Sequence, residues 1–202
     1  TLNYRNSYTC YSRTIRCLLG RLILMEIYQP SEDSYLFAEL LKKELPKFIK
    51  KNKNIKFLDM GTGSGILAKT ASKYLPPKNI LAIDINPEAI KALQKESFQT
   101  AQSNLFKDTN KKFDLITFNA PYLPLDSREP KSSRLATTGG KNGDEVSLKF
   151  LKQAKRHLNK NGKIFLLISS LTPLDKIKKL WSYKIVARKK IFMEELLILE
   201  FR

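Results

Sequence analysis

Cysteine and histidine are almost absent from this sequence. Its 202 residues include two cysteines, Cys10 and Cys17, and one histidine, His157. Because both cysteines lie in the first two dozen residues, the rest of the chain has no thiol that could form a disulfide or bind a metal cluster. A single histidine also excludes a site built from several histidines. The sequence therefore predicts no metal site, and this use of cysteine suits the reducing cytoplasm.

Long hydrophobic runs are absent as well. The longest apolar stretches, such as residues 164–168, have the length of a β-strand, whereas an α-helix needs about 20 apolar residues to cross a bilayer. We therefore expect no contact with a membrane. Apolar side chains make up 42% of the residues, and at this chain length they are enough for the core of one domain but not of two.

Acidic residues are few in comparison with basic ones. The 37 lysines and arginines outnumber 19 aspartates and glutamates, which gives a formal net charge of +18. A concentrated basic patch would indicate a nucleic acid or another acidic partner. The lysines are instead spread over residues 42–56, 152–155 and 176–190. Solvated, lysine-rich surfaces explain most of this charge, and contact with RNA through the basic surface is the alternative.

Residues 1–24 differ in composition from the rest of the chain. They contain four arginines but no lysine and no acidic residue, and the composition changes at Met25. Arginine and serine without acidic residues are typical of an organelle transit peptide, although the chain begins with Thr1. We interpret residues 1–24 as a non-native or mis-annotated extension that precedes one domain at residues 25–202. The alternative is a short amphipathic helix at residues 12–24 that packs on the domain.

Predicted strands and helices alternate from residue 31 onward. Strands are expected at residues 55–60, 80–85, 113–118 and 163–169, with a weaker one at 101–106. Helices are expected at residues 31–45, 66–74, 145–158 and 173–181, and from Pro87. Pro46 is expected to disturb or end the first helix, and Asn161 and Gly162 to form the turn that ends the helix at 145–158. Residues 122–143 are expected to form a polar loop.

This alternation predicts an α/β, doubly wound fold. Right-handed crossovers give a mostly parallel sheet with helices on both faces, and ligands then bind at the carboxyl ends of the strands. The last two predicted strands, at residues 183–188 and 191–201, are separated only by Lys189 and Lys190. They are therefore antiparallel neighbours or one broken strand.

A glycine-rich loop follows the first predicted strand and opens a helix. Its spacing is G-x-G-x-G, from Gly61 through Gly63 to Gly65. Glycines permit a tight turn and the close approach of a ligand to the backbone. Ile66 stands where the dinucleotide-binding fingerprint has its third glycine, which argues against a nicotinamide or flavin cofactor.

Two aspartates accompany this glycine loop. Asp84 ends the next predicted strand, at the distance expected of an acid that binds two ribose hydroxyls. Asp59 directly precedes the loop, where it can meet a cationic amine or hold the loop itself. The alternative for the whole segment is that the glycines only allow the helix to pack on the strand.

The segment Asn119-Ala120-Pro121-Tyr122 follows the next strong strand at the same edge of the sheet. The Asn119 side-chain oxygen and the Ala120 carbonyl can accept the two N–H groups of a planar nitrogen and thereby aim its lone pair. Pro121 biases Ala120 toward an extended conformation, and Tyr122 offers a flat apolar face. These are the candidate catalytic residues, and the alternative is a turn that merely ends a strand.

Together, these segments resemble the class I methyltransferases, and within them the archaeal and eukaryotic branch of the HemK-like release-factor glutamine N5-methyltransferases. Five segments of residues 27–201 are similar to that family's motifs: 28–34 (YQPSEDS), 59–65, 84–87 (DINP), 119–122 and the glycine-rich 139–143. The resemblance implies a seven-stranded sheet of order 3-2-1-4-5-7-6 and S-adenosylmethionine as cofactor. The implied acceptor is a glutamine side-chain amide of a peptide chain release factor.

The resemblance also implies site residues and a partner. Cofactor contacts are expected at Ser34, Asp59, Gly61, Gly63, Gly65, Asp84, Asn104, Leu105 and Asn119. A small zinc-binding activator subunit is expected to form a heterodimer at the outer edge of the sheet, near residues 101–106. Two positions depart from the family pattern. Asn104 replaces an acid beside the adenine, and Ala120 replaces the first proline of Asn-Pro-Pro-Tyr, although its backbone carbonyl is retained.

Other acceptors remain open from the sequence. The same four-residue acceptor motif serves enzymes that methylate an exocyclic base amine in RNA or DNA, and the net charge favours a nucleic acid. Lysine methylation is disfavoured because an ammonium must first lose a proton. A cofactor-binding subunit without turnover is the non-enzymatic alternative.

Overall fold

The computed structural model describes residues 26–202, so the prediction for residues 1–24 lies outside the described part of the chain. The helices are α1 (Glu32–Lys51), α2 (Ile66–Ser72), α3 (Pro87–Ala92), α4 (Arg134–Thr137), α5 (Glu145–Ala154) and α6 (Leu174–Leu180). The strands are β1 (Phe57–Met60), β2 (Ile80–Asp84), β3 (Gln99–Gln102), β4 (Phe113–Asn119), β5 (Leu123–Pro124), β6 (Thr138–Gly140), β7 (Leu158–Ser169), β8 (Lys184–Lys190) and β9 (Glu195–Phe201).

Within these residues, seven strands form one sheet in the order β3-β2-β1-β4-β7-β9-β8. The first five strands in this order run parallel, and β9 is antiparallel to both β7 and β8. Strands β5 and β6 pair separately, outside this sheet. The predicted doubly wound sheet is therefore confirmed, and its order is the one that the family resemblance implied.

The central strands β1 and β2 are buried along their whole length because both faces of the sheet are covered. Successive residues of one strand belong to opposite cores, as Phe57 and Leu58 do in β1. One core contains Phe37 and Leu41 of α1, and the other contains Phe150 of α5. The layers therefore hold the strand ends rigidly, and the residues that follow those ends are positioned by the cores.

Helix α1 continues through Pro46 to Lys51, so of the two predicted effects of Pro46, the end of the helix is wrong. Proline removes one backbone hydrogen bond and typically costs about 3 kcal/mol inside a helix. Leu45 is fully buried before it, and Phe48 and Ile49 pack against the same core after it. Burial on both sides of the proline offsets the lost hydrogen bond.

Strand β3 is Gln99–Gln102 rather than residues 101–106. Ser103 begins a turn, in which its hydroxyl donates to the Leu105 carbonyl at 2.9 Å and accepts from the Asp108 amide at 3.2 Å. Leu105 has φ 55°, and the side chains of Leu105 and Phe106 are buried in the core. The apolar signal thus came from a buried turn and not from a strand.

Two further boundaries differ from the prediction. Asn161 and Gly162 do not form the turn that ends a helix, because α5 ends at Ala154 and both residues lie within β7. Asn161 has φ 67° beside a register shift between β4 and β7, a conformation that asparagine tolerates better than most residues. The last two strands form an antiparallel hairpin whose turn is residues 191–194, not Lys189 and Lys190.

Residues 122–143 are more regular than the polar loop that the sequence predicted. They contain β5, α4 and β6, which together form a flap beside the carboxyl end of β4. The Glu129 carboxylate organises this flap, since it accepts hydrogen bonds from the hydroxyls of Ser133, Thr137 and Thr138. None of the helices within residues 26–202 is long and apolar enough to cross a membrane.

Candidate functional site

A cleft of about 610 Å³ opens at the carboxyl ends of the parallel strands. The segments after β1, β2, β3 and β4 line it, together with the start of α1 and the flap at residues 122–140. A volume of several hundred Å³ suits a ligand of nucleoside size or somewhat larger. Parallel strands bring their carboxyl ends to one edge, which is why segments far apart in sequence meet here.

The glycine loop runs along one wall of this cleft. It is anchored by a hydrogen bond from the Thr62 amide to the Ile83 carbonyl of β2 at 2.9 Å. Gly65 has φ 79° at the start of α2, and a Cβ atom there would lie 2.6 Å from Leu93 Cδ2. Gly61 has φ 60°, and its Cβ would lie 2.8 Å from the Phe118 ring. Left-handed backbone and close neighbours together explain the glycine spacing.

Asp59 is buried beneath this loop. Its carboxylate accepts hydrogen bonds from the Thr62 hydroxyl at 2.7 Å, the Ala68 amide at 3.1 Å and the Thr117 hydroxyl at 3.2 Å. Burial raises the pKa of Asp59 to about 7, although these hydrogen bonds act to lower it. Of the two roles considered for Asp59, its contacts within the chain support holding the loop against α2 and β4.

The raised pKa of Asp59 makes stability depend on pH. A carboxyl whose folded pKa lies above its unfolded value stabilises the fold at low pH and loses that contribution as pH rises. Between about pH 4 and pH 7, the wild-type protein should lose up to roughly 1.4 kcal/mol per pH unit relative to Asp59→Asn. Urea unfolding of both proteins across this range measures the difference. Parallel stability curves would show that the buried carboxyl does not titrate in this window.

Asp84 stands at the end of β2, across the glycine loop from Asp59. One carboxylate oxygen accepts from the Gly63 amide and the other from the Asn86 amide, each at 2.8 Å. Burial raises the pKa of Asp84, against the lowering effect of these hydrogen bonds. The residue lines the cleft, so the Gly63 and Asn86 amides hold its carboxylate in a fixed orientation at the cleft wall.

Asn119 is the last residue of β4 and lies partly buried in the cleft. Its side-chain nitrogen donates to Asp33 Oδ2 at 3.1 Å and to Ser34 Oγ at 3.5 Å. Its side-chain oxygen is buried and accepts no hydrogen bond from residues 26–202. A buried carbonyl oxygen without a donor is rare in proteins, and it marks a place where a ligand N–H group can bind.

The rest of the acceptor segment surrounds this oxygen. Ala120 is buried, and Pro121 and Tyr122 line the cleft. Burial raises the pKa of the Tyr122 hydroxyl, and the Asp33 carboxylate raises it further. Tyr122 therefore stays neutral at physiological pH and offers an uncharged aromatic face.

Tyr28 and Asp33 are site residues that the sequence reasoning missed. Asp33 lies in the first turn of α1, where any acidic residue suits the helix dipole, yet it is 4% exposed and contacts Asn119. Tyr28 donates its hydroxyl to Asp33 at 2.9 Å, and burial raises its pKa, as does the neighbouring Asp33 carboxylate. Both lie in the segment at residues 28–34, whose similarity to a family motif was the available signal.

The structure brings nearly all of the predicted residues to one cleft. Its lining includes the predicted residues Ser34, Asp59, Gly61, Gly63, Asp84, Asn104, Leu105, Asn119, Ala120, Pro121 and Tyr122. Gly65 does not line the cleft and lies behind the loop, against Leu93. Asn104 is exposed at the rim, whereas Leu105 is buried. The flap residues that line the cleft, such as Leu125 and Arg134, were not predicted.

The chain is similar in sequence to known methyltransferases. A family model described as a methyltransferase domain matches residues 31–193. A protein of Methanocaldococcus jannaschii that carries the name of a protein N5-glutamine methyltransferase is 36% identical over 187 residues, which cover 86% of this chain and 90% of the relative. A release factor glutamine methyltransferase of Flavobacterium psychrophilum is 29% identical over 76% of this chain and 59% of its own length.

A solved structure supports the fold. The crystal structure of a ribosomal protein L11 methylase from Lactobacillus delbrueckii subsp. bulgaricus matches with a TM-score of 0.60 and 23% identity. The match covers 86% of this chain and 81% of the methylase. Within residues 26–202, no cluster of three or more histidine, cysteine, aspartate or glutamate side chains is arranged to hold a metal ion.

Proposed function

Because this chain belongs to the methyltransferase-domain family, and within it to the HemK-like glutamine N5-methyltransferases, we propose that it methylates the side-chain amide of a glutamine in a peptide chain release factor. S-adenosylmethionine is the cofactor of this family and supplies an electrophilic methyl group when bound. The observation that carries the acceptor proposal is the buried, unpartnered side-chain oxygen of Asn119 at the cleft.

The residues of the cleft fit this cofactor. Asp84 has its carboxylate fixed by the Gly63 and Asn86 amides, which leaves lone pairs to accept from two ribose hydroxyls. Asn104 and Leu105, after β3, would flank the adenine, with Asn104 as an uncharged acceptor in place of an acid. Ser34, Asn119 and the glycine loop would hold the methionine end. Gly65 and Asp59 contribute by shaping and holding that loop.

The acceptor residues can aim a planar nitrogen. Asn119 Oδ1 and the Ala120 carbonyl accept its two N–H groups, so the lone pair lies perpendicular to the amide plane and faces the methyl group. Tyr122 packs flat against the amide. The nitrogen forms one bond to the methyl carbon, the bond from that carbon to sulfur breaks, and the nitrogen then releases one proton to water. Catalysis by this chain is thus positioning and electrostatics.

The acceptor is tested by offering competing substrates together. The protein is incubated with methyl-labelled S-adenosylmethionine, a purified release factor, total RNA and DNA, with Asn119→Ala as control. We expect label in the release factor, at a glutamine identified by mass spectrometry. Label in a base amine would instead support methylation of RNA or DNA, which the net charge of +18 favours. Label in a lysine side chain would support lysine methylation.

We also propose a small zinc-binding activator at the outer edge of the sheet. Strand β3 pairs only with β2 in the described chain, so its other side offers unpaired backbone groups. Leu105 and Phe106 are buried and add no apolar surface to this edge. Co-expression with the activator should raise solubility or turnover, measured by size exclusion and methyl transfer. A soluble monomer with full turnover on a release factor would refute the heterodimer.

A release factor works where ribosomes translate. We therefore propose, as part of the same function, that the enzyme works in the cytoplasm.

A further inference from the structure

A buried hydrogen-bond network centres on Asp33 and joins α1 to the end of β4. Its Oδ2 atom accepts from the Tyr28 hydroxyl at 2.9 Å and from Asn119 Nδ2 at 3.1 Å. Its Oδ1 atom accepts from the amide and the hydroxyl of Ser34, at 2.5 and 3.1 Å. Four donors thus surround one carboxylate that is 4% exposed. A carboxylate buried in this way is held in a single orientation.

The carboxylate determines which end of the Asn119 carboxamide faces it. The oxygen and nitrogen of a carboxamide are nearly equal in size, so packing alone does not select between its two flipped orientations. An ionised carboxylate only accepts hydrogen bonds, so it binds the nitrogen and repels the oxygen. The Asn119 oxygen must then face away from Asp33, on the side where it is buried without a donor.

We propose that Asp33 is a positioning residue that locks the Asn119 carboxamide with its oxygen toward the acceptor nitrogen. This inference rests on the proposed methylation of an amide or amine. With the carboxamide flipped, Asn119 would present N–H groups to the N–H groups of the acceptor, and the two would repel. Asp33 therefore selects a hydrogen-bond donor as the group to be methylated, without touching that group itself.

Helix-dipole stabilisation alone does not account for Asp33. Glu32 occupies the same first turn of α1, and it is exposed and paired with Lys189. A dipole effect needs only a negative charge near the helix start and is indifferent to the orientation of Asn119. The positioning role instead predicts that any effect of Asp33 on turnover passes through the Asn119 side chain.

A double-mutant cycle separates these roles. Asp33→Asn keeps the shape of the side chain but removes the charge that selects the orientation of Asn119. We expect kcat to fall by roughly 10- to 100-fold in the wild-type background but by less than about 3-fold in the Asn119→Ala background, because no carboxamide is left to orient. Glu39→Gln, on an exposed turn of α1 where Glu39 pairs with Lys42, is the matched control and should leave kcat unchanged.

The outcomes distinguish the possible roles of Asp33. An equal fold-loss of kcat in both backgrounds would assign Asp33 to the fold or to cofactor binding, and no loss in the wild-type background would also refute the proposal. Cofactor affinity and melting temperature are measured on each variant. If saturating cofactor restored the rate of Asp33→Asn to the wild-type value, the whole loss would come from weaker cofactor binding. That result would count against a positioning role for Asp33.

Nuclear magnetic resonance tests the same idea without any variant or acceptor. In the wild-type protein, one proton of the Asn119 side-chain NH₂ should exchange slowly with water and resonate downfield of an exposed asparagine such as Asn142, because it is hydrogen-bonded to the buried Asp33 carboxylate. Fast exchange of both protons, with shifts like those of an exposed asparagine, would overturn the proposal, even if Asp33→Asn failed to fold. If release factor received no methyl group, the proposed function would fail, while this measurement would still decide the role of Asp33.

Discussion

Replacement of Asp84 by alanine should bring cofactor binding below detection in calorimetry. The variant loses a charged acceptor for two ribose hydroxyls, and each hydrogen bond to a charged group contributes about 1.5–3 kcal/mol. The combined loss is on the order of 10²- to 10⁴-fold in affinity. The Gly63 and Asn86 amides also lose their acceptor, so the glycine loop becomes less ordered and the affinity falls further.

Asp114→Ala is the matched control for this experiment. Asp114 lies on the same sheet and also accepts a backbone hydrogen bond, from the Lys56 amide at 2.8 Å, but it stands near the amino end of β4. Its replacement should lower the melting temperature while leaving cofactor affinity unchanged. Unaltered calorimetric affinity in Asp84→Ala would refute the assignment of the ribose site.

The cleft differs in charge from the molecule as a whole. The chain carries a net charge of +18, yet the side chains of Asp33 and Asp84 both lie in the lining of the cleft. Carboxylates inside a cleft attract a cation more strongly than the same groups on an open surface, because less water screens them. A sulfonium cofactor is therefore favoured locally, while the basic exterior remains available to an acidic partner.

The position of the site could be predicted from the sequence because it follows from strand order. Asp59, Asp84 and Asn119 each fall at the carboxyl end of a strand with a strong apolar signal. Once those strands are parallel, their ends meet at one edge whatever the details of the helices. The glycine loop could also be predicted from the sequence, because the left-handed backbone at Gly65 admits few other residues.

The contacts of Asp33 could not be predicted in the same way. Asp33 and Asn119 are 86 positions apart, and their meeting depends on how α1 docks against the end of β4. A helical pattern indicates which face is apolar, but it does not give the rotation of the first turn against a neighbouring strand. An aspartate at that position also suits the helix dipole, so its residue type alone does not indicate a contact with Asn119.

Local sequence signals failed where tertiary packing outweighed them. Pro46 is a strong breaker signal, but the helix around it is fixed by apolar contacts on both sides. Leu105 and Phe106 gave a strand-like signal because they are buried, whereas their backbone forms a turn. The flap at residues 122–140 depends on hydroxyl contacts with Glu129, and such contacts leave no periodic pattern in a sequence.

Asn119→Ala should separate turnover from cofactor binding. The variant loses the oxygen that accepts an N–H group of the acceptor, so the nitrogen is no longer aimed at the methyl group. We expect kcat to fall by about 10²- to 10³-fold, with the dissociation constant of the cofactor changed by less than about five-fold. Single-turnover methyl transfer and calorimetry measure the two quantities on the same preparation.

The interpretation of Asn119→Ala depends on the comparison between those two quantities. Asn79→Ala is the control, since Asn79 donates its side-chain amide to Asn54 at 2.9 Å on an exposed surface before β2. It should alter neither quantity. Equal losses of turnover and cofactor affinity in Asn119→Ala would make Asn119 chiefly a cofactor ligand, and the unpartnered oxygen would then belong to the cofactor site. A loss confined to kcat is expected instead, because that oxygen is buried at the end of β4 with its carboxamide nitrogen already bound to Asp33.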